Sequence, residues 1–168
     1  MKLEFDRNKP AGEMLVKWWA ELADDKGGRA ELKRAADVTR VVMSPAYQRL
    51  HRMLCKVLPD GQVPAHKEDR LAIAAALLAH VKDDDSGASL PVLMSKREQE
   101  GDRPPVSPLR FRRLLETTDV EDLFVSLRRV LPLLSHRANV VALANDVVNW
   151  GDLTRKRWAY AYNWPQTS

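Results

Sequence analysis

Nine consecutive residues, Leu71-Ala-Ile-Ala-Ala-Ala-Leu-Leu-Ala79, carry no polar side chain. A helix over about 67–81 is therefore apolar around most of its circumference, and such a helix has no face to give to water. It must be surrounded by other elements. The run is far too short to cross a bilayer, which needs about 20 apolar residues. A chain of 168 residues can bury such a helix within one domain or two small lobes, without a metal or disulfide staple.

The rest of the chain supplies helices to do so. Residues 10–24 read as a first helix, with Pro10 tolerated in the first turn and Met14, Leu15, Trp18, Trp19 and Leu22 on its apolar face. Gly27-Gly28 should end it, and a second helical piece covers 29–36. Ser44-Pro45 is a start signal, serine as N-cap and proline at the first helical position. The helix it opens turns Tyr47, Leu50, Leu54, Val57 and Leu58 inward and stops at Pro59-Asp-Gly61.

Residues 82–107 change character, with the acidic run Asp83-Asp-Asp85, Ser86-Gly87, an apolar island at Leu90-Pro-Val-Leu-Met94, and Pro104-Pro105. A stretch this long reads as a linker. Beyond it lie four helical candidates, 108–116, 119–134, 139–150 and 153–162. Thr118 and Glu121 have capping-box spacing, so Thr118 should start the second of them. Leu123, Leu127, Leu131 and Leu134 draw its buried stripe. Arg128 and Arg129 follow Leu127 and, at roughly 100° per residue, point off that stripe. Pro132 should kink its end. Gly151 stops the third helix, and Asp152 is placed to cap the fourth. No alternating strand pattern of useful length occurs. The expected class is all-α: two small helical bundles, 1–81 and 108–168, joined by a flexible linker at 82–107.

Cys55 is the lone cysteine, which excludes an internal disulfide and fits a reducing cytoplasm. The charged start, with Lys2, Glu4, Asp6, Arg7 and Lys9, lacks the apolar core of a secretory signal. Net charge is +4, and its placement matters more than its size. From 29 to 56, Arg29, Lys33, Arg34, Arg40, Arg49, Arg52 and Lys56 face only Glu31 and Asp37. Clustering of this kind is the electrostatic footprint for a polyanion, though an ordinary solvated helix face has the same look.

Catalytic chemistry finds little support. Gly27-Gly28 lacks the Gly-Lys-Ser/Thr of a phosphate loop, and His51, His66, His80 and His136 are scattered rather than set at metal-ligand spacing. Asp83 to Asp85 read as solvated loop carboxylates, and Cys55 as a packed thiol. The tryptophans read as core, although only one of the adjacent Trp18 and Trp19 can face inward fully. The stronger functional candidates are arginines, above all Arg110, Arg112, Arg113, Arg128, Arg129, Arg137, Arg155 and Arg157, with Lys156. Helical arginines contact phosphates without reading base identity.

Arg110-Phe-Arg-Arg-Leu-Leu115, Leu127-Arg-Arg-Val-Leu131 and a helix closing on Trp150-Gly151 together resemble the C-terminal half of the CasB family, the small subunits of type I-E CRISPR Cascade. Trp18-Trp19, Arg29-Ala-Glu-Leu-Lys-Arg34 and Pro45-Ala-Tyr-Gln-Arg-Leu50 resemble its N-terminal half. The resemblance implies a non-catalytic protein of two helical bundles, needing no cofactor or metal. Its implied partners are guide RNA, target and displaced DNA, the backbone and large subunits, and a second copy of itself, with no membrane. The family's basic surface then falls on Arg29, Lys33, Arg34, Arg112, Arg113, Arg128 and Arg129. The rival expectation is an all-α scaffold whose basic faces bind acidic protein partners.

Overall fold

Among residues 2–99 and 101–166, which the computed structural model describes, ten α-helices follow one another. The first five are α1 (Pro10–Glu21), α2 (Lys26–Arg34), α3 (Val38–Val42), α4 (Pro45–Val57) and α5 (Glu68–Leu78). A short helix, α6 (Leu90–Ser95), precedes α7 (Pro108–Leu115), α8 (Val120–Val130), α9 (Val140–Val148) and α10 (Asp152–Ala161). The only strands among the described residues are β1 (Asp83–Asp84) and β2 (Arg137–Ala138), a two-residue parallel pairing. The protein is all-α in class.

Helix α5 is the axis of the fold. Every residue from Leu71 to Ala79 is fully buried, as its lack of a polar face demands. It packs against α9 along one side and against α2, α3 and α8 on others. Helices α8 and α9 lie beyond residue 107 in the sequence, so helices from both expected bundles enclose α5. A single apolar cluster accordingly runs from Leu3 to Tyr162.

The segment expected as a flexible linker is tied down within this arrangement. Lys82 N–H donates to the His136 carbonyl at 2.8 Å and Asp85 N–H to the Ala138 carbonyl at 2.9 Å. Ser135 and His136 both take positive φ, 55° and 59°, and this turn delivers β2 to β1. The Asp83 to Asp85 run is not simply solvated. Asp84 accepts both Arg7 guanidinium nitrogens at 2.7 Å and the Val140 N–H at 3.0 Å, at the start of α9. Burial alone would raise the Asp84 carboxyl pKa; the bonds from Arg7 and Val140 and the charge of Arg7 outweigh it and hold the carboxyl below its ordinary value. The apolar island becomes α6, with Leu90, Leu93 and Met94 buried and α10 packed against it.

One expected stop and one expected start resolve differently from expectation. Gly27-Gly28 does not end α1 but lies in the first turn of α2, because Asp25 caps that helix through the Gly28 N–H at 3.0 Å. A Cβ at position 28 would sit 2.3 Å from the Asp25 carboxylate, so glycine fits where a side chain would collide. Helix α8 is capped by Asp119, not Thr118: the Asp119 carboxylate accepts the Glu121 N–H at 2.7 Å. Asp152 does not cap α10: it is the first residue inside that helix, whose N-cap position is taken by Gly151 without a side-chain bond, and α9 already ends at Val148. Two further signals act as read. Ser44 caps α4 through the Tyr47 N–H, and α8 passes at Leu131 into a 3-10 turn containing Pro132. Leu123, Leu127, Leu131 and Leu134 are all buried.

Candidate nucleic-acid interface

The arginine-bearing helices α7 and α8 are set by different means. Ser107 opens α7 by accepting the Arg110 N–H at 3.2 Å, with Pro108 in the first turn. Phe111 and Leu114 turn inward. The Phe111 ring stacks on Tyr162, centroids 4.1 Å apart and planes 14° apart, while Trp158 meets Trp150 edge-on at 4.9 Å. Tyr162 donates its hydroxyl proton to the Val106 carbonyl at 2.6 Å. This aromatic packing fixes α7 against the end of α10. On α8, burial of Leu123, Phe124, Leu127 and Val130 leaves Ser126 and Arg129 on an outer face.

Between these helices lies an open groove of about 230 Å³, lined by Arg110, Arg113, Leu114, Ser126, Arg129 and Val130. Arg110 and Arg113 stand three residues apart on one helix face, and Arg129 comes from the opposite wall. All three are exposed. Among the described residues, none has a carboxylate within ion-pair distance. Three unpaired guanidiniums on an apolar floor can take phosphate oxygens with planar, forked donors.

The seven residues expected to form the basic surface do not converge on one site. Arg113 and Arg129 meet in this groove, joined by Arg110, which the resemblance did not single out. Arg112 is exposed on another face of α7. Arg34 lines a separate depression of about 540 Å³ with Glu31, Asp37, Arg40 and Met43. Arg29, Lys33 and Arg128 cluster elsewhere, around His80. Their charges add to the burial that pushes the His80 pKa down to about 4.

Arg128 and Arg29 are turned inward and bind the ends of other helices. The last carbonyls of a helix lack partners within it, and a cation there also meets the negative end of the helix dipole. Arg128 donates to the Lys33 carbonyl at 2.9 Å and to that of Leu32 at 3.4 Å, where α2 ends. Its guanidinium lies 4.2 Å from the centroid of the Phe124 ring, and burial lowers its pKa. Arg29 donates to the Ala79 carbonyl at 2.9 Å and the Val81 carbonyl at 3.3 Å, just past α5. The same device recurs where Arg70 meets Val148 and Trp150, and where Arg155 meets Leu115. A sizeable part of the basic composition therefore serves the fold.

The tryptophans also serve it. Trp18 is fully buried and donates to the Ala46 carbonyl; the half-buried Trp19 donates to that of Val81. Asp146, only 2% exposed, accepts from Arg157 and from Trp158 Nε1, each at 2.8 Å. Cys55 is half-buried with its sulfur 3.7 Å from His51 Nδ1. Among the described residues no group of three His, Cys, Asp or Glu side chains is close enough to hold a metal ion, and no helix is long and apolar enough to cross a membrane.

The chain is thus an all-α protein with a fully enclosed central helix and an open groove of arginines that are unpaired among the described residues. The model for the CRISPR-associated protein Cse2 family matches residues 28–162, and the chain belongs to that family, the CasB small subunits of type I-E Cascade. Its fold is shared with a chain in the crystal structure of E. coli Cascade bound to a PAM-containing dsDNA target. The TM-score is 0.61 at 21% identity, covering 88% of this chain and 91% of that one. No curated protein matches the sequence.

Proposed function

We propose that the chain is a non-catalytic, cytoplasmic small subunit of a type I-E Cascade, which steadies the R-loop by holding nucleic-acid backbone on its basic face. Membership of the Cse2 family supports the assembly. The observation that carries the contact is the groove in which Arg110, Arg113 and Arg129 stand exposed without carboxylate partners. In RNA-guided recognition, base pairing reads sequence while protein grips backbone. A groove of unpaired guanidiniums is suited to that division, because it binds phosphate and ignores the base. Guide RNA, target DNA and displaced DNA, together with the backbone and large subunits and a second copy of the chain, are the partners this reading assigns.

Within this reading the seven expected contact residues are no longer equivalent. Arg113 and Arg129 contact backbone with Arg110, while Arg34 and Arg112 are free to contribute from neighbouring faces. Lys33 lies at the edge of the α2 junction, where Arg29 and Arg128 support the fold. Purification of the tagged chain from its native host tests the assembly. Short repeat-spacer RNAs should copurify with a set of backbone subunits; recovery of an acidic protein partner and no RNA would establish a scaffold instead.

A further inference from the structure

Helix α10 turns Thr154, Trp158 and, just past its end, Tyr162 into the core, and leaves a second stripe outward. Leu153 is 84% exposed and Tyr160 92% exposed. Lys156 lies between them, three residues from Leu153 and four from Tyr160, so all three share one face. The Tyr160 hydroxyl makes no hydrogen bond and its ring packs on no other aromatic ring among the described residues. An aromatic ring held in water on a rigid helix makes no contribution to the core described above.

Beside this stripe is a shallow groove of about 290 Å³ between α10 and the end of α7, lined by Leu115, Asp152, Arg155, Lys156 and Ala159. Its one carboxylate, Asp152, is engaged by Arg155 at 3.3 Å, and the Arg155 guanidinium also holds the Leu115 carbonyl. Lys156 is exposed without an ion-pair partner among the described residues, as is Arg112, one turn before Leu115 on α7. Among the lining residues the one charge without a partner is therefore the cation of Lys156, and Leu115 and Ala159 supply an apolar floor.

We propose that this face of α10 is a stacking platform for single-stranded nucleic acid, with an unpaired base lying on Tyr160 and adjacent phosphates on Lys156 and Arg112. An aromatic face flanked by cations is what sequence-tolerant single-strand binding requires, since every base has a π-face and every nucleotide a phosphate. A duplex offers no unstacked base to the ring. Charge complementarity selects a polyanion, and the exposed ring selects one with planar, unstacked groups. The inference rests on the function proposed above and deepens it, adding a base-contacting site to the backbone groove on the other side of α7.

Equilibrium binding of the full-length chain to fluorescein-labelled oligo(dT), to a duplex of equal length and to poly-glutamate tests it. Tyr160→Ala should weaken oligo(dT) binding by about 5- to 150-fold, the range that the loss of one stacked base produces. Tyr160→Phe should stay within about twofold of the parent, and duplex binding should change little. Equal loss for duplex and single strand, unchanged oligo(dT) binding by Tyr160→Ala, or no oligo(dT) binding by the parent at tens of micromolar would overturn the platform. Poly-glutamate binding that depends equally on Tyr160 would overturn it in favour of an acidic protein partner. The Arg110→Glu, Arg113→Glu, Arg129→Glu variant separates the two readings: sensitivity to this change with indifference to Tyr160→Ala sinks the platform alone.

Discussion

Replacing Arg128 by methionine keeps most of the side-chain volume over Phe124 and removes the guanidinium that closes α2. Two hydrogen bonds are lost, at 2.9 Å to Lys33 and 3.4 Å to Leu32. A charge-assisted bond of good length contributes about 1.5–3 kcal/mol net, and the longer one less. Loss of the cation over the Phe124 ring, 4.2 Å away, costs about 1 kcal/mol more. Burial of the charge, visible in the lowered pKa, offsets part of this. A net loss of about 2–4 kcal/mol follows. Arg129→Ala, on the exposed neighbour, should stay within about 0.5 kcal/mol of the parent. Urea unfolding by circular dichroism reads both, as a lower midpoint at unchanged slope for Arg128→Met and no shift for Arg129→Ala. Equal stability of the two variants would refute the helix-end role of Arg128. It would also return Arg128 to the set of free phosphate contacts.

Gly12→Ala should be among the most damaging single-methyl additions in the chain, because a Cβ there would lie 1.9 Å from the backbone oxygen of Asp6. Since backbone must move, a loss of at least about 2 kcal/mol is expected, read as a fall in thermal midpoint; an unchanged midpoint would contradict the packing of the N-terminal turn on α1. His80 supplies a pH dependence. Its folded pKa, about 4 and mainly the result of burial, lies below the ordinary 6.5, so the unfolded chain takes up the proton first. The stability from keeping His80 neutral is full above about pH 6.5 and is lost as pH falls toward 4. Arg128, Lys33, His136 and Arg29 surround it. His80→Leu should flatten the stability profile across that window, and an unaltered slope would count against a buried neutral imidazole.

The sequence announced α5 because a run with no polar side chain admits only one environment. It announced α4 because Ser44-Pro45 is a local signal with a local partner, the Tyr47 N–H. Roles that depend on distant chain were hidden. Helical spacing shows that Arg128 leaves the leucine stripe, but not that the end of α2, some 95 residues away in sequence, waits on that side. Arg29 was read as surface charge for the same reason, since the end of α5 that it closes lies 50 residues downstream. Thr118 and Asp119 both carry capping oxygens, and backbone geometry chose the carboxylate. The segment 82–107 has a linker's composition, yet Arg7 and the start of α9 both hold Asp84. The outward direction of Arg113 follows from the burial of Phe111 and Leu114, neither of which was assigned to the core from the sequence. Its meeting with Arg129 required the crossing of α7 and α8.

The backbone-contact claim is tested most directly in an assembled Cascade carrying Arg110→Glu, Arg113→Glu and Arg129→Glu, by measuring R-loop binding across a salt series. All three side chains are exposed and unpaired among the described residues, so the subunit should remain folded and incorporated. Each phosphate contact contributes about 0.7–0.9 to the slope of log affinity against log salt. Loss of three should make the slope shallower by about 2–3, with weaker binding at physiological salt and no change in sequence preference. A folded, incorporated triple variant with the parent's affinity and slope would contradict the groove's assignment to nucleic acid.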